Sequence, residues 1–547
     1  MPANPLTDHD RFIYRSPYPD ASIPDSALTP VILRNAAELG DSPAIIDGPS
    51  GRVMTYRQLA SDIQAVAAGL AERGLTKGDV LSIYAPNVPE YAVAFHAVIS
   101  IGGIVSTANP LLTAGELSTQ LLDGNAKFLL TVPGLLEPVR EAARSAGIPD
   151  NHIYVIGEAE GVTSLADLAA SGAQPPVVEI DPVEDVAVLP YSSGTTGLPK
   201  GVMLTHYNLV AQDVQIAVGG EAIKQSDVVI AVLPFFHIYG MSVIMNHGLS
   251  RGATLVTMPR FDLALFLQLI QDHRVTRAFL VPPIVLALAK HPIVDDYDLS
   301  SLEVIFCGAA PLGADLQQSA AARLNCIIKQ GYGMTETSPV THLSPDTRVK
   351  GGTIGILAAN TEAMIVDIET LLPLGPHQDG ELWVRGPQIM RGYLNRPEAT
   401  AVTIVDGGWL RTGDIASVDE DGYFTIVDRL KELIKYKGYQ VAPAELEAVL
   451  LAHPSVADAA VIGSPDEESG EVPKAFVVRK DDISAITLMD YVGAHVAPYK
   501  KIRLLEFVES VPKSASGKIL RRNLIEEERA RVRAASSTAS KVEAPTS

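Results

Sequence analysis

Cysteine is nearly absent: Cys307 and Cys326 are the only two in 547 residues. Two thiols are too few for a disulfide scaffold or a four-ligand zinc site, and they suit a reducing, cytoplasmic setting. Basic residues are also scarce beside acidic ones, with Lys+Arg 43 against Asp+Glu 64 and a formal net charge of −21. A polyanion is gripped by a basic field that displaces its counterions, so this balance argues against a dedicated nucleic-acid binder. Long apolar runs are missing as well. The most apolar stretch, Ala92 to Val105, is short of the roughly 20 residues a membrane span needs, and it carries His96 and two glycines. It reads as a buried helix. The opening residues have neither the basic nor the apolar region of a secretory signal, and the closing APTS is not a peroxisomal tripeptide. Cytoplasmic residence is therefore the expectation. No internal repeat is visible.

What is present is a globular composition, 47% hydrophobic and 20% charged. The length suggests about three or four folding units, or one large domain with a smaller companion. Strand-length apolar runs alternate with helical periodicity over most of the chain, the pattern of an α/β fold. Thr55 and Gln58 form a capping box before Leu59, Ile63, Val66 and Leu70 at helical spacing. Val80–Tyr84, Val228–Leu233, Val275–Val281 and Val304–Cys307 read as strands, with a helix over Phe261–Ile270 capped by Asp262. Beyond residue 350 the pattern changes to short, glycine-rich β pieces. A second unit begins near Asp428, with Pro443 opening a helix and strands at Val456–Ile462, Phe476–Val478 and Leu504–Val508. The Ala- and Ser-rich stretch 534–547 is expected to be a disordered tail.

The strongest chemical signal is the run Ser192, Ser193, Gly194, Thr195, Thr196, Gly197, Leu198, Pro199, Lys200, Gly201, entered from the apolar strand Val186–Leu189. Glycines turn the backbone and aim N–H groups outward, hydroxyls add donors, and a lysine adds charge, which together suit a polyphosphate. It is not a P-loop, because Pro199 stands where that motif needs its second glycine.

This run, with Gly308-Ala309-Ala310-Pro311-Leu312, Gln330-Gly331-Tyr332-Gly333-Met334-Thr335-Glu336, Gly380 to Gly386, Thr412-Gly413-Asp414, Asp428 to Lys435 and Pro512 to Lys518, resembles in order the motifs of the adenylate-forming enzymes. That group includes acyl-CoA and aryl-CoA ligases and beetle luciferases, and the likeness is greatest to the 4-coumarate:CoA ligases. It covers about Thr29 to Arg522. The resemblance implies a large multi-subdomain N-terminal α/β domain over 1–427, built of two αβαβα layers and a small β-barrel-like part. A smaller mobile α+β domain over 428–533 would follow.

The resemblance also implies roles. Tyr332, freed by its flanking glycines, would stack on the purine; Thr335 would meet a phosphate and Glu336 would ligate Mg²⁺. Asp414 would hold the ribose diol with Arg429 beside it. His237 would orient the acyl carboxylate and respond to protons near neutral pH. Lys518 would bridge the attacking carboxylate and the α-phosphate of ATP. Lys431, Lys435, Lys437, Gly438 and Gln440 would serve the hinge and the later, thioester-forming arrangement with coenzyme A. Tyr239, Gly308, Gly333, Pro339 and Val340 would line the acyl pocket. Other histidines, His96, His206 and His247, carry no such implication.

The implied reaction joins a small carboxylic acid to coenzyme A through an acyl-adenylate, releasing pyrophosphate and AMP. Departures from the plant coumarate pattern, Thr337-Ser338 before Pro339 and Cys307 before Gly308, leave a medium-chain fatty acid, a substituted benzoate or a cinnamate open as the acid. Transfer to a carrier protein, luciferase-like oxidation and a silent nucleotide binder are the competing readings. Intact Glu336 and Lys518 weigh against the last.

Overall fold

The computed structural model describes residues 12–192, 199–219, 223–430, 432–437, 439–466, 469–514 and 517–542. Four sheets organise it. The first has eight strands in the order Gly392–Tyr393, Lys200–Thr205, Val186–Ser192, Ile104–Ala108, Val80–Tyr84, Ala126–Thr131, Ile153–Val155, Thr163–Ser164. Its centre is parallel, with Val80–Tyr84 between Ile104–Ala108 and Ala126–Thr131. The second, nine-stranded sheet has a parallel core of Thr254–Thr257, Val228–Ala231, Arg277–Leu280, Val304–Cys307 and Ile327–Gly333. The strands of both cores are buried apolar runs, as sheets covered on both faces require.

The helix Tyr56–Glu72 starts from the expected capping box at Thr55 and Gln58. Next to it, Pro89–Ser100 is buried along almost its whole length and packs on strands of both sheets. The apolar stretch read as one helix to Val105 stops at Ser100: Gly102, at φ +77°, turns the chain, and Ile104 enters a strand. The helix expected over Phe261–Ile270 spans Leu263–His273, beginning just after Asp262, whose carboxylate accepts from the Leu265 N–H. The segment after Phe236 is a buried π-helix, Tyr239–Asn246, running into the α-helix His247–Ser250. Gly240 makes this possible, since a Cβ there would lie 2.2 Å from the Pro234 carbonyl oxygen.

A third, six-stranded sheet holds the glycine-rich pieces after residue 350, with Trp409–Val418 pairing antiparallel to Phe424–Arg429. Its last strand extends two residues past the expected boundary at 427. The fourth sheet belongs to the small domain, where the hairpin Val456–Asp466 and Gly470–Arg479 is joined by Ile434–Tyr436, Tyr439–Val441 and Leu504–Phe507. It has its own apolar core around Ile434, Leu446, Leu450, Val461 and Val477. The last helix, Arg521–Val542, takes in residues 534–542 of the stretch expected to be disordered, where alanines favour helix; the remaining residues of that stretch, 543–547, lie outside the described ones. Among the described residues no helix is long and apolar enough to cross a membrane.

Candidate active site

The candidate residues gather at the carboxyl ends of the parallel strands, where α/β sheets leave a crevice. Ser192 ends one strand and Lys200 begins the next, and the two face each other in register. The turn between them, with Ser193, Gly194, Thr195, Thr196 and Gly197, lies outside the described residues, as do Lys431 and Gly438.

Glu336 occupies a short 3₁₀ turn, Thr335–Thr337, beyond the strand Ile327–Gly333. Its Oε1 accepts from Ser192 Oγ at 3.1 Å and from the Tyr393 hydroxyl at 2.8 Å, and its backbone carbonyl accepts from the Met390 N–H. Lys200 Nζ lies 4.6 Å from the Tyr393 ring centroid. The carboxylate is 5% exposed and its hydrogen-bond donors are neutral hydroxyls. A buried negative charge of this kind fits a hard cation. No group of three or more His, Cys, Asp or Glu side chains that could hold a metal occurs among the described residues.

The end of the crevice expected to take the nucleoside is built by close approach. A Cβ on Gly331 would meet the Phe306 ring at 2.2 Å, and one on Gly333 would meet the Pro339 carbonyl at 1.9 Å. Only glycine fits at either position, which explains the Gly-Tyr-Gly sequence. The Tyr332 hydroxyl donates to Asp414 Oδ2 at 2.5 Å, and Arg429 pairs with Oδ1 of the same carboxylate at 3.2 Å. Asp414 and Arg429 are direct partners across the antiparallel strands, so sheet register fixes this contact. Burial pushes the Asp414 carboxyl up, while Arg429, Tyr332 and Lys518 oppose that shift.

Two expectations change here. The Gln330 amide is engaged within the fold: it accepts from the Leu312 N–H and donates to the Leu312 carbonyl and to Gln317. It therefore braces the Gly308-Ala309-Ala310 turn, in which Ala309 sits at φ +69°. His237 accepts the Tyr239 N–H at Nδ1, leaving the proton of the neutral ring on Nε2. Burial, reinforced by the Lys518 charge, lowers its pKa to about 3, so it stays neutral near pH 7 instead of titrating there.

Lys518 reaches this crevice from the small domain. Its loop closes on itself through Ser514 N–H to the Lys518 carbonyl at 2.8 Å and Lys518 N–H to Ser514 Oγ at 3.2 Å. Gly517, at φ +77°, rests on Val281 and Pro283 of the large domain, where a Cβ would find carbons at 3.2 and 3.3 Å. Burial lowers the ammonium pKa and Arg429 lowers it further, whereas Asp414, Glu336 and Glu432 raise it. Of these, Asp414 and Arg429 are the groups that the resemblance assigned to the nucleotide and Glu336 the one it assigned to the metal.

Lys435 and Lys437 are elsewhere. Lys435 is exposed on Ile434–Tyr436, opposite Gln440, and its backbone N–H donates to Glu471. Lys437 is exposed at φ +48°, with Nζ 5.9 Å from the Tyr436 ring. The arrangement thus presents Lys518, and not this second set, to the crevice.

On the side expected to take the acyl group, the Tyr239 ring covers Gly308, where a Cβ would find it at 3.0 Å, and its hydroxyl donates to the Phe306 carbonyl. Pro339 lies against Gly333, and Val340 continues into an apolar chamber with Phe279 and Phe306.

Three features escape sequence reasoning. Tyr393 reaches Glu336 from 57 residues away and carries no local pattern. Arg521, which stands in no motif, is mostly buried and bridges Glu432 at 2.5 Å and Glu447 at 2.6 Å. Asp428, at the start of the interdomain link, accepts from the Ala444 N–H and so caps the helix Pro443–Ala452 of the small domain.

Comparison with known proteins gives the chain its family. The model of the AMP-binding enzyme family matches residues 32–394, and that of the AMP-binding enzyme C-terminal domain matches 445–518. The chain is similar to 4-coumarate–CoA ligase 5 of Oryza sativa subsp. japonica, 45% identical over 529 residues that cover 94% of this chain and 97% of that one. It is likewise 45% identical to 4-coumarate–CoA ligase 1 of Solanum tuberosum over 94% of this chain and 96% of the relative. Among solved structures it superposes on the anthranilate CoA ligase AuaEII in complex with anthranoyl-AMP, with TM-score 0.86, 28% identity and coverage of 93% and 99%. It also superposes on ATP-bound MatB from Rhodopseudomonas palustris, with TM-score 0.83, 29% identity and coverage of 91% and 98%. The chain belongs to the AMP-binding enzyme family.

Proposed function

We propose that the protein is an ATP-dependent carboxylic acid:CoA ligase of the 4-coumarate type. The observation that carries this reading is the seating of the Lys518 loop on the large domain, with Gly517 against Val281 and Pro283, which brings the ammonium within electrostatic reach of Asp414, Glu336 and His237. A carboxylate attacking the α-phosphate creates negative charge between two anions, and a partly buried ammonium stabilises it most where water is scarce. Tyr332 and Asp414 bind the nucleoside, and Ser192 and Lys200 flank the polyphosphate. Neutral His237 offers its Nε2 proton to a carboxylate oxygen and aims the other oxygen at phosphorus. Mg²⁺ held by Glu336 would neutralise phosphate charge. Pyrophosphate leaves, and the acyl group is then carried on AMP.

Thioester formation needs Lys518 to withdraw so that a thiol can approach the acyl carbon. Rotation about the link near Asp428–Lys431 would bring Lys435, Lys437 and Gln440 to the same crevice. Two unpaired thiols, Cys307 and Cys326, are compatible with a cytoplasmic setting. The test is a panel of aromatic and aliphatic acids assayed for ATP-dependent pyrophosphate release and for coenzyme A thiol consumption. Both signals with an arylpropenoate are expected. Pyrophosphate without thiol loss for every acid would favour a carrier-protein acceptor instead.

A further inference from the structure

The Lys518 loop forms one piece with the residues that follow it. Its two legs are fastened together: a β-bridge joins Lys513 to Ile519, and the Leu520 N–H donates to the Pro512 carbonyl at 2.9 Å. Ile519 and Leu524 pack with Val511 and Phe476 of the small domain. Arg521 comes next and opens the helix Arg521–Val542. A cation at a helix N-terminus works against the helix dipole, and the first turn of this helix holds no acidic residue. The guanidinium therefore depends on anions from other segments.

Two carboxylates meet it, Glu432 on Nη1 at 2.5 Å and Glu447 on Nη2 at 2.6 Å. Glu447 belongs wholly to the small domain, on the helix Pro443–Ala452, and also accepts from the Val461 N–H. Glu432 stands in the interdomain link. Its N–H donates to the Arg429 carbonyl at 2.9 Å, and its neighbour Leu433 is buried in one apolar cluster with Ile415 of the large domain and Ala442 of the small one. The planar fork of Arg521 thus ties the link to the loop that carries Lys518.

The charges follow the same geometry. Those acting on Lys518 are Arg429, which disfavours the ammonium, and Asp414, Glu336 and Glu432, which favour it, with neutral His237 beside them. Asp414 and Glu336 stand on the large domain. Of the three carboxylates, only Glu432 lies beyond the link at Asp428–Lys431, on the side that moves with Lys518.

We propose that Glu432 is a positioning residue for acyl-adenylate formation: through Arg521 it moors the Lys518 loop to the interdomain link, and it accompanies Lys518 as a permanent counter-ion. The inference rests on the ligase reading and deepens it. Asp414 and Glu336 compensate the ammonium only while the loop is docked. Glu432 compensates it before, during and after docking, so the lysine enters the crevice already charged.

The experiment is the pH profile of kcat/KM for pyrophosphate release by the full chain, from about pH 6 to about pH 10, with an acid that has no second ionising group. Lys518 acts as a cation, so activity falls on the alkaline limb as it loses its proton. Glu432→Gln removes an anion from its surroundings and should move that limb down by at least about half a pH unit. Glu432→Asp keeps the charge and should hold the limb in place, whatever it costs in rate. Glu447→Gln takes the other carboxylate from the same guanidinium, but Glu447 is not among the principal charges acting on Lys518, so the limb should stay. An unmoved limb in Glu432→Gln overturns the proposal, as does an equal shift in Glu447→Gln.

Arg521→Lys tests the mooring separately, because an ammonium lacks the fork that spans both carboxylates. Pyrophosphate release should fall about tenfold with the KM for ATP unchanged, while thiol consumption from presynthesised acyl-adenylate falls less than about twofold. Equal losses in the two assays overturn the mooring. If no acid releases pyrophosphate, the ligase reading itself falls, whereas release with an unmoved limb removes this inference alone.

Discussion

The two poles of the crevice are held in different ways. On the large domain, Ser192, Tyr393 and Glu336, and likewise Tyr332, Asp414 and Arg429, are locked by hydrogen bonds and ion pairs between strands far apart in sequence. On the small domain, Lys518 stands on a loop that bonds mainly to itself and touches the large domain through a glycine. The first pole is preorganised by sheet register; the second is delivered. On the proposed function, a fixed pole would serve every step that involves the nucleotide, whereas a delivered cation would serve only the step for which it is present. Substitutions at the two poles should therefore divide the two half-reactions differently.

The largest effect is expected for Lys518→Ala. Loss of one preorganised charge at a developing anion costs about 10²–10³ in rate, so pyrophosphate release should fall by that factor. Thiol consumption from presynthesised acyl-adenylate should fall less than about tenfold, because Lys518 has left by then. Equal losses in both assays would mean that the poles do not act separately.

Next comes the anchorage of the small domain. Arg521 faces Glu432 and Glu447, with Asp428 close by, so three carboxylates share one guanidinium. Burial, with Asp428 adding to it, lifts Glu447 to about 7 against the pull of Arg521 and the Val461 N–H. An unfolded glutamate titrates near about 4.3, so between that pH and about 7 the native state holds a proton the unfolded chain lacks. Stability from this group is fully present at the acid end of that window and declines as pH rises through it. Glu447→Gln should flatten this slope by roughly 2 kcal/mol, read from chemical denaturation of the small domain at pH 5 and pH 8. An identical slope in the variant would place the proton elsewhere.

How much of this was legible in the sequence follows the same division. The fixed pole is read easily, because its demands are local: Gly331 and Gly333 are dictated by contacts of 2.2 and 1.9 Å, and the strand Val304–Cys307 agrees residue for residue with its apolar run. Its hidden member is Tyr393, contributed by a two-residue strand with no periodicity to detect. The delivered pole was legible only as a motif. Lys513, Lys500 and Arg521, which composition shows only as positive charge, are paired with Asp458, Glu445 and the Glu432–Glu447 pair. Ion pairing across segments leaves no trace in composition. The π-helix at Tyr239 was unreadable for another reason: a run buried on all sides has no amphipathic period.

A smaller effect is expected where the delivered pole docks. Gly517→Ala must adopt φ +77°, which costs a side-chain-bearing residue about 1–2 kcal/mol, and its methyl would press on Val281 and Pro283. Adenylation should fall by about tenfold with substrate KM values little changed, since the penalty falls on the docked arrangement alone. Thiol consumption from the preformed adenylate should be spared or slightly quickened. A matching loss in that second assay would mean that Gly517 supports the whole domain and not only this docking.

Tyr332→Phe is the mildest test and bears on the fixed pole. The phenyl ring keeps the stacking surface, so only the hydrogen bond to Asp414 is lost. Asp414 retains Arg429 and the Thr412 turn, in which its own N–H donates to the Thr412 hydroxyl. One such bond contributes about 1 kcal/mol, which is roughly a fivefold rise in KM for ATP. If Asp414 holds AMP after pyrophosphate leaves, as the proposed function has it, the affinity for AMP should weaken by the same factor. A change confined to ATP would assign Tyr332 to the first step only and place it functionally with Lys518, although the sheet holds it with Asp414.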